Sequence, residues 1–175
     1  MATATEKTMA DRVHTNPVIA DAVIDSFASA LTMCNTSARC VGIARVPSRD
    51  SGSITGMIGV HGKVSGFITV NMSERFAVRA VEGLLQEAYG ELTSQVVDGA
   101  GELTNIIVGG IKSALSKTKW GFSQITVPSV IVGKGYSIAY ANGLVFLNVS
   151  FEHDDEEAVL LEDRLIHVSI SLLEL

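Results

Sequence analysis

Between Asp98 and Gly110 the chain reads DGAGELTNIIVGG, and three of these residues have the spacing to act together. Asp98, Glu102 and Asn105 are four and three positions apart, so on a helix they fall within about 60° of one another. The carboxamide of Asn105 offers both an acceptor and donors of hydrogen bonds. Glu102 offers an anion suited to pairing with a cation. Glu91, Ser94, Lys112 and Ser116 extend the same polar stripe, while Ala100, Leu103, Ile107, Ile111 and Ala114 lie opposite, as the expected buried face. Four glycines, Gly99, Gly101, Gly109 and Gly110, interrupt this segment, although each costs an exposed helix interior about 0.5–1 kcal/mol relative to alanine. Gly109 falls on the polar stripe between Asn105 and Lys112, and Gly101 falls at its edge. The expectation is that both flatten the solvent face, so that the backbone of a partner comes close to Glu102 and Asn105.

The elements that must hold this stripe are legible on either side. Asn16-Pro17 starts a helix that runs to about Cys34. Strand-like segments follow at 39–47, 52–62 and 63–73, with His61-Gly62 as a hairpin turn. Ser73 and Glu74 open a second helix, expected to stop at Gly90. The glycine-bearing helix is expected from about Glu91 to Lys119, sealed at its end by Trp120 and Phe122. Strands at 123–133, 136–140, 144–152 and 164–175 complete the chain, with Asn142-Gly143 joining the middle two. In the last strand Ile166, Val168, Ile170 and Leu172 face one way and His167, Ser169 and Ser171 the other, which places His167 on a half-exposed face.

Pro47 and Pro128 stand as far apart along the chain as Gly62 and Gly143. This shared offset suggests an internal duplication in which each half is a helix followed by strands. The fold class expected is α/β: a single domain over 16–175, with an antiparallel sheet built from two pseudo-repeated halves and packed helices, one of them the long helix of the site. Residues 1–15 read as a flexible N-terminal tail.

Composition narrows the functional classes. The chain has 175 residues, a net charge of −6 and 47 % hydrophobic residues, which suits one domain with a sizeable core. Its basic residues are scattered, so nucleic acid is not an expected partner. No apolar run has the length of a membrane span and the N-terminal residues lack a signal-peptide core, so no membrane is expected and a cytoplasmic location is. Cys34 and Cys40 are too few for a disulfide framework. His14, His61, His153 and His167 show no metal-ligand spacing, and Gly133-Lys134-Gly135 reads as a turn rather than a phosphate loop. The acidic run EHDDEEAVLLED at 152–163 reads as a solvated turn. No metal site is expected.

The segment DGAGELTN (98–105), on a long helix followed by VPSVIVGKG and a hairpin, resembles the D/S-x-x-x-E-x-x-N signature of the CheC/CheX/FliY chemotaxis phosphatases, and is most similar to the CheX pattern. The resemblance covers about residues 16–175. It implies dephosphorylation of a phosphorylated CheY-type response regulator, with Glu102 and Asn105 as the catalytic pair. Asp98, Gly101, Gly109 and Lys112 would then meet the partner, Asp98 either touching the receiver's rim or staying solvated. In that reading Asn105 aligns the attacking water, Glu102 pairs with the receiver's lysine, and Mg²⁺ belongs to the receiver rather than to this chain. CheC-type members carry a second site on the repeat-equivalent helix. Here the shared offset puts Asp21 and Ile24 opposite Glu102 and Asn105, so one site is expected. The resemblance further implies a homodimer. A non-catalytic module of the same fold, docking on a receiver or a motor-switch protein, is the alternative.

Overall fold

The computed structural model describes residues 16–45, 52–136, 138 and 144–175. The chain forms α1 (Pro17–Met33), β1 (Ala38–Ala44), β2 (Ile54–Gly62), β3 (Val64–Met72), α2 (Glu74–Leu85), α3 (Ser94–Leu115), β4 (Phe122–Ile125), β5 (Ser129–Val132), β6 (Val145–His153) and β7 (Leu165–Glu174). All seven strands join one antiparallel sheet in the order β1-β6-β7-β3-β2-β4, with β5 also on β2. The expected α/β single-domain fold is therefore the one observed.

Alternation along the strands sends Ile54 and Ile58 of β2, Ile68 and Val70 of β3, Val149 and Phe151 of β6, and Val168 and Ile170 of β7 into one core, where all are essentially inaccessible. The helices supply the other wall of this core through residues such as Phe27, Phe76, Leu103, Ile107 and Ile111. Phe27 of α1 stacks on Phe151 of β6 with ring centroids 4.0 Å apart. Trp120 and Phe122 are buried just beyond α3 and close its end, as expected. Ala114 departs from the buried face predicted for it and is exposed.

The two halves are real, but they correspond differently from the spacing of glycines. The strand order reads alike from either end. Two hairpins, β2–β3 and β6–β7, meet at the central β3·β7 pair, and each edge strand pairs with the other half's hairpin: β1 with β6, β4 with β2. Moving α1 along the chain by the offset between the two prolines does land it on α3. The β2–β3 turn near Gly62, however, corresponds to the connection after His153, not to Gly143. The Asn142-Gly143 turn, most of the strand expected at 136–140, Pro47 and the tail at 1–15 lie outside the described residues.

Helix ends moved inward where side chains supply better caps. Thr93 accepts the Val96 N–H at 3.2 Å and starts α3 three residues late, and Leu115 ends it early. Helix α2 stops at Leu85 because Gln86 takes a left-handed conformation (φ 59°). Gly90 instead shapes the following loop, whose Tyr89 and Gly90 N–H groups both donate to the Glu82 carboxylate at 2.7 Å. The segment at 123–133 is two strands, not one, broken at Pro128, which has no N–H to give to a ladder.

Part of the sheet face away from the helices buries polar side chains, Thr55, Thr69, Asn71, Asn148, His167 and Ser169 among them. His167 is 7 % exposed rather than half-exposed, and its Nδ1 lies 2.9 Å from Ser150 Oγ. Ser150 in turn donates to Asn148, and Asn148 to Ser169 at 2.8 Å. Farther along this face Asn71 exchanges hydrogen bonds with the backbone of Gly52, and Tyr136 bonds Thr55. These pairings satisfy polar groups that burial would otherwise penalise.

Candidate functional site

Helix α3 lies across β2 and between α1 and α2, and its neighbours settle why it carries four glycines. A Cβ at Gly99 would stand 2.5 Å from Val81 of α2, and one at Gly110 would stand 2.9 Å from Ser26 of α1. These two glycines let the helices approach. Gly101 is buried, with Val130 at 3.3 Å and Pro128 at 3.7 Å from where its Cβ would be. Its missing side chain is thus accounted for within the domain by the β4–β5 segment, contrary to the expectation of a solvent-facing position. Of the four, Gly109 alone faces open space, with nothing within 4 Å.

The wheel positions follow from these contacts. With about 100° per residue and Gly101 directed at the β4–β5 edge, Asn105 is turned about 40° away from that edge and Glu102 about 100°. Asp98, Gly109 and Lys112 fall between or beside them. Asp98 and Glu102 are exposed, and Asn105, Gly109 and Lys112 are half-buried. Among the described residues no hydrogen bond or ion pair engages the side chains of Asp98, Glu102, Asn105 or Lys112. By contrast, the charged groups of Arg75, Arg79 and Asp155 are all paired. The long helix therefore presents an anion and a carboxamide at i and i+3, both free to engage an outside group. They stand on a rigid scaffold whose buried residues fix the helix.

At the C-terminal end of α3 a groove of about 950 Å³ opens beside the stripe, with Lys112, Ser113 and Ser116 on the helix side and Phe122, Ser123 and Gln124 on the β4 side. Lys112 also sits in the last turn of the helix, where the dipole favours a cation. On the repeat-equivalent α1, Asp21 is exposed, but Ile24 packs against the core where the second polar residue would be needed. Gly133 and Gly135 take positive φ values, 138° and 84°, so Gly133-Lys134-Gly135 is a turn. Among the described residues no group of three or more His, Cys, Asp or Glu side chains is arranged to hold a metal ion, and no helix is long and apolar enough to cross a membrane.

The acidic run after β6 is not merely a solvated turn. Asp155 is 2 % exposed and is gripped by Arg75 Nε at 2.7 Å and Arg79 Nη1 at 2.9 Å, while Glu157 takes the second arm of Arg75. The Arg75 hydrogen bond holds the Asp155 carboxyl well below the usual carboxylate range. Nearby His153 lies 2.7 Å from Thr36 Oγ1, edge-on to Phe76, and burial pushes its pKa down. This cluster pins the β6–β7 connection over α2. Composition alone concealed it, because the arginines belong to a helix in the other half of the chain.

The family model described as "Chemotaxis phosphatase CheX" matches residues 54–152, a span that contains the whole of α3. Solved structures share the fold. The chemotaxis protein CheX from Vibrio vulnificus superposes with a TM-score of 0.75 at 22 % identity, over 89 % of this chain and 99 % of that one. CheX from Desulfovibrio desulfuricans gives 0.74 at 23 %, over 89 % and 99 %. The matching chain of a CheX–CheY–BeF3–Mg²⁺ complex from Borrelia burgdorferi gives 0.68 at 22 %, over 90 % and 97 %. No curated protein matches the sequence.

Proposed function

Because this chain belongs to the CheX family of chemotaxis phosphatases, we propose that it removes the phosphoryl group from the aspartate of a CheY-like response regulator, with Glu102 and Asn105 as the working pair. The observation that carries this reading is the solvent-accessible, unpartnered Glu102 and Asn105 on one face of a buried-backed helix, beside the open space at Gly109.

An aspartyl phosphate is an acid anhydride. Water attacks phosphorus, the bond to the aspartate oxygen breaks, and the products are the free carboxylate and inorganic phosphate. Little covalent work falls to the enzyme, so positioning and charge decide the rate. Asn105 accepts a hydrogen bond from the water through its carboxamide oxygen and aligns it for in-line attack. Glu102 would repel a phosphate on its own, and is useful when it pairs with a cation, for which the receiver's lysine is the candidate. That pair sets the register of the helix in the receiver's pocket. The protein brings no ion; Mg²⁺ acts through the receiver. The same reading includes a homodimer joined through sheet edges and work in the cytoplasm. Sedimentation that shows a monomer at tens of micromolar would count against the dimer.

The test is loss of phosphate from a phosphorylated receiver with and without the protein, in wild type, Asn105→Ala and Glu102→Ala. Asn105 acts as the water attacks, so its loss is expected to remove most turnover while leaving receiver affinity largely intact. Glu102→Ala is expected to weaken binding as well. Complex formation without faster phosphate loss would favour the non-catalytic docking module. Wild-type turnover in Asn105→Ala would remove the catalytic assignment.

A further inference from the structure

The flank of α3 nearest Asn105 carries an apolar side chain that the core does not use. Residues 122–124 of β4 share the groove with Lys112–Ser116 of α3, whereas Pro128 meets α3 nearer its N-terminus, at Gly101. The intervening kink, Thr126-Val127-Pro128, therefore runs alongside the turns that bear Asn105 and Gly109. It is held firmly. Thr126 donates its N–H to Gly59 O at 2.9 Å and accepts the Gly59 N–H at 2.9 Å through Oγ1, which also donates to Val127 O at 3.1 Å. Pro128 is wedged toward Gly101. On this braced kink Val127 is 83 % exposed.

We propose that Val127 is the apolar anchor of the docking surface, seated on the response regulator at the rim of the pocket that holds its phosphorylated aspartate. This rests on the function proposed above. A partner whose pocket admits Asn105 must bring its rim against both flanks of α3, and the kink forms the flank toward which Asn105 leans. A second copy of this chain is the poorer occupant. Adding a strand to this edge needs an unbroken row of N–H and C=O groups, and the break at Pro128 denies it. A side chain on a backbone already braced by hydrogen bonds also pays little ordering cost when a partner covers it.

The experiment compares wild type, Val127→Asp and Val127→Ile in two assays. One measures affinity for a receiver loaded with beryllofluoride and Mg²⁺; the other measures KM and kcat with the phosphorylated receiver. Val127 is exposed and contributes nothing to the core, so all three are expected to melt alike. Val127→Asp is expected to weaken affinity and raise KM by about tenfold, with kcat changed by less than about twofold, as for a residue that binds without taking part in chemistry. Val127→Ile is expected to recover most of the affinity. Wild-type affinity and KM in Val127→Asp would overturn the anchor while leaving the function intact. A change in sedimentation with receiver binding unaltered would assign the kink to contacts between copies and overturn it likewise. Failure of the wild-type protein to bind the loaded receiver would overturn the proposed function and the anchor together.

Discussion

Replacing Gly109 tests the docking surface by separating stability from function. Gly109 is in the interior of α3 and a Cβ there meets nothing within 4 Å. Alanine gains helix propensity without overlap, so Gly109→Ala is expected to stabilise the fold by about 0.8–1.0 kcal/mol. For a chain of this length that raises Tm by roughly 2–4 °C. Its neighbour behaves oppositely. At Gly110 the new methyl would stand 2.9 Å from both Cβ and Oγ of Ser26. Overpacking costs about 1–3 kcal/mol, which cancels or exceeds the gain in propensity. Gly99→Ala, against Val81 at 2.5 Å, is expected to lose stability in the same way. Gly109→Trp starts from a Cβ that meets nothing within 4 Å and adds bulk on the approach to Asn105, so receiver affinity is expected to fall by about tenfold or more while the protein remains folded. Urea melts of the four variants, with receiver binding and phosphate release on the same samples, provide the check. Equal melts for Gly109→Ala and Gly110→Ala would refute the packing argument. Undiminished binding by Gly109→Trp would refute the claim that partners approach along this face.

Three further outcomes follow from groups outside the site. Asp155 has its carboxyl pKa depressed by Arg75 and Arg79, so its contribution is complete above the unfolded pKa near 3.9 and is lost as pH falls below it; Asp155→Asn is expected to cost about 1–3 kcal/mol at neutral pH in urea denaturation. His153 and His167 both have pKa values lowered by burial, so the unfolded chain takes up protons first, and stability is expected to fall as pH drops below about 6.5, by up to about 1.4 kcal/mol per histidine at pH 5.5. Denaturation that is flat from pH 7.5 to 5.5 would contradict this. Burial pushes the Cys34 thiol up to about 11, whereas Cys40 is exposed; one thiol per chain is expected to react with a thiol reagent in the native protein and two after unfolding.

What could be read along the chain is what local periodicity encodes. The 3.6-residue period of 94–115 set Glu102, Asn105 and Gly109 on one face and Leu103, Ile107 and Ile111 on the other, because burial of an amphipathic helix follows its own side chains. Alternation in 64–72 and 165–174 likewise marked the strands and the apolar side of each. Pairings between distant segments were not legible. Nothing in β1 names β6 as its partner, and the cross-half exchange of edge strands arises only when two hairpins close on each other at β3 and β7. The same limit governs Asp155: a carboxylate in an acidic run looks solvated until Arg75 and Arg79 arrive from another element. It governs the polar face of β7 too, where His167 and Ser169 are buried because hydrogen bonds across strands make their burial tolerable. The glycines divide along this line. Glycine removes a side chain in every case, but only the packed neighbours distinguish a helix making room for α1 or α2, as at Gly110 and Gly99, from one left open on that side, as at Gly109.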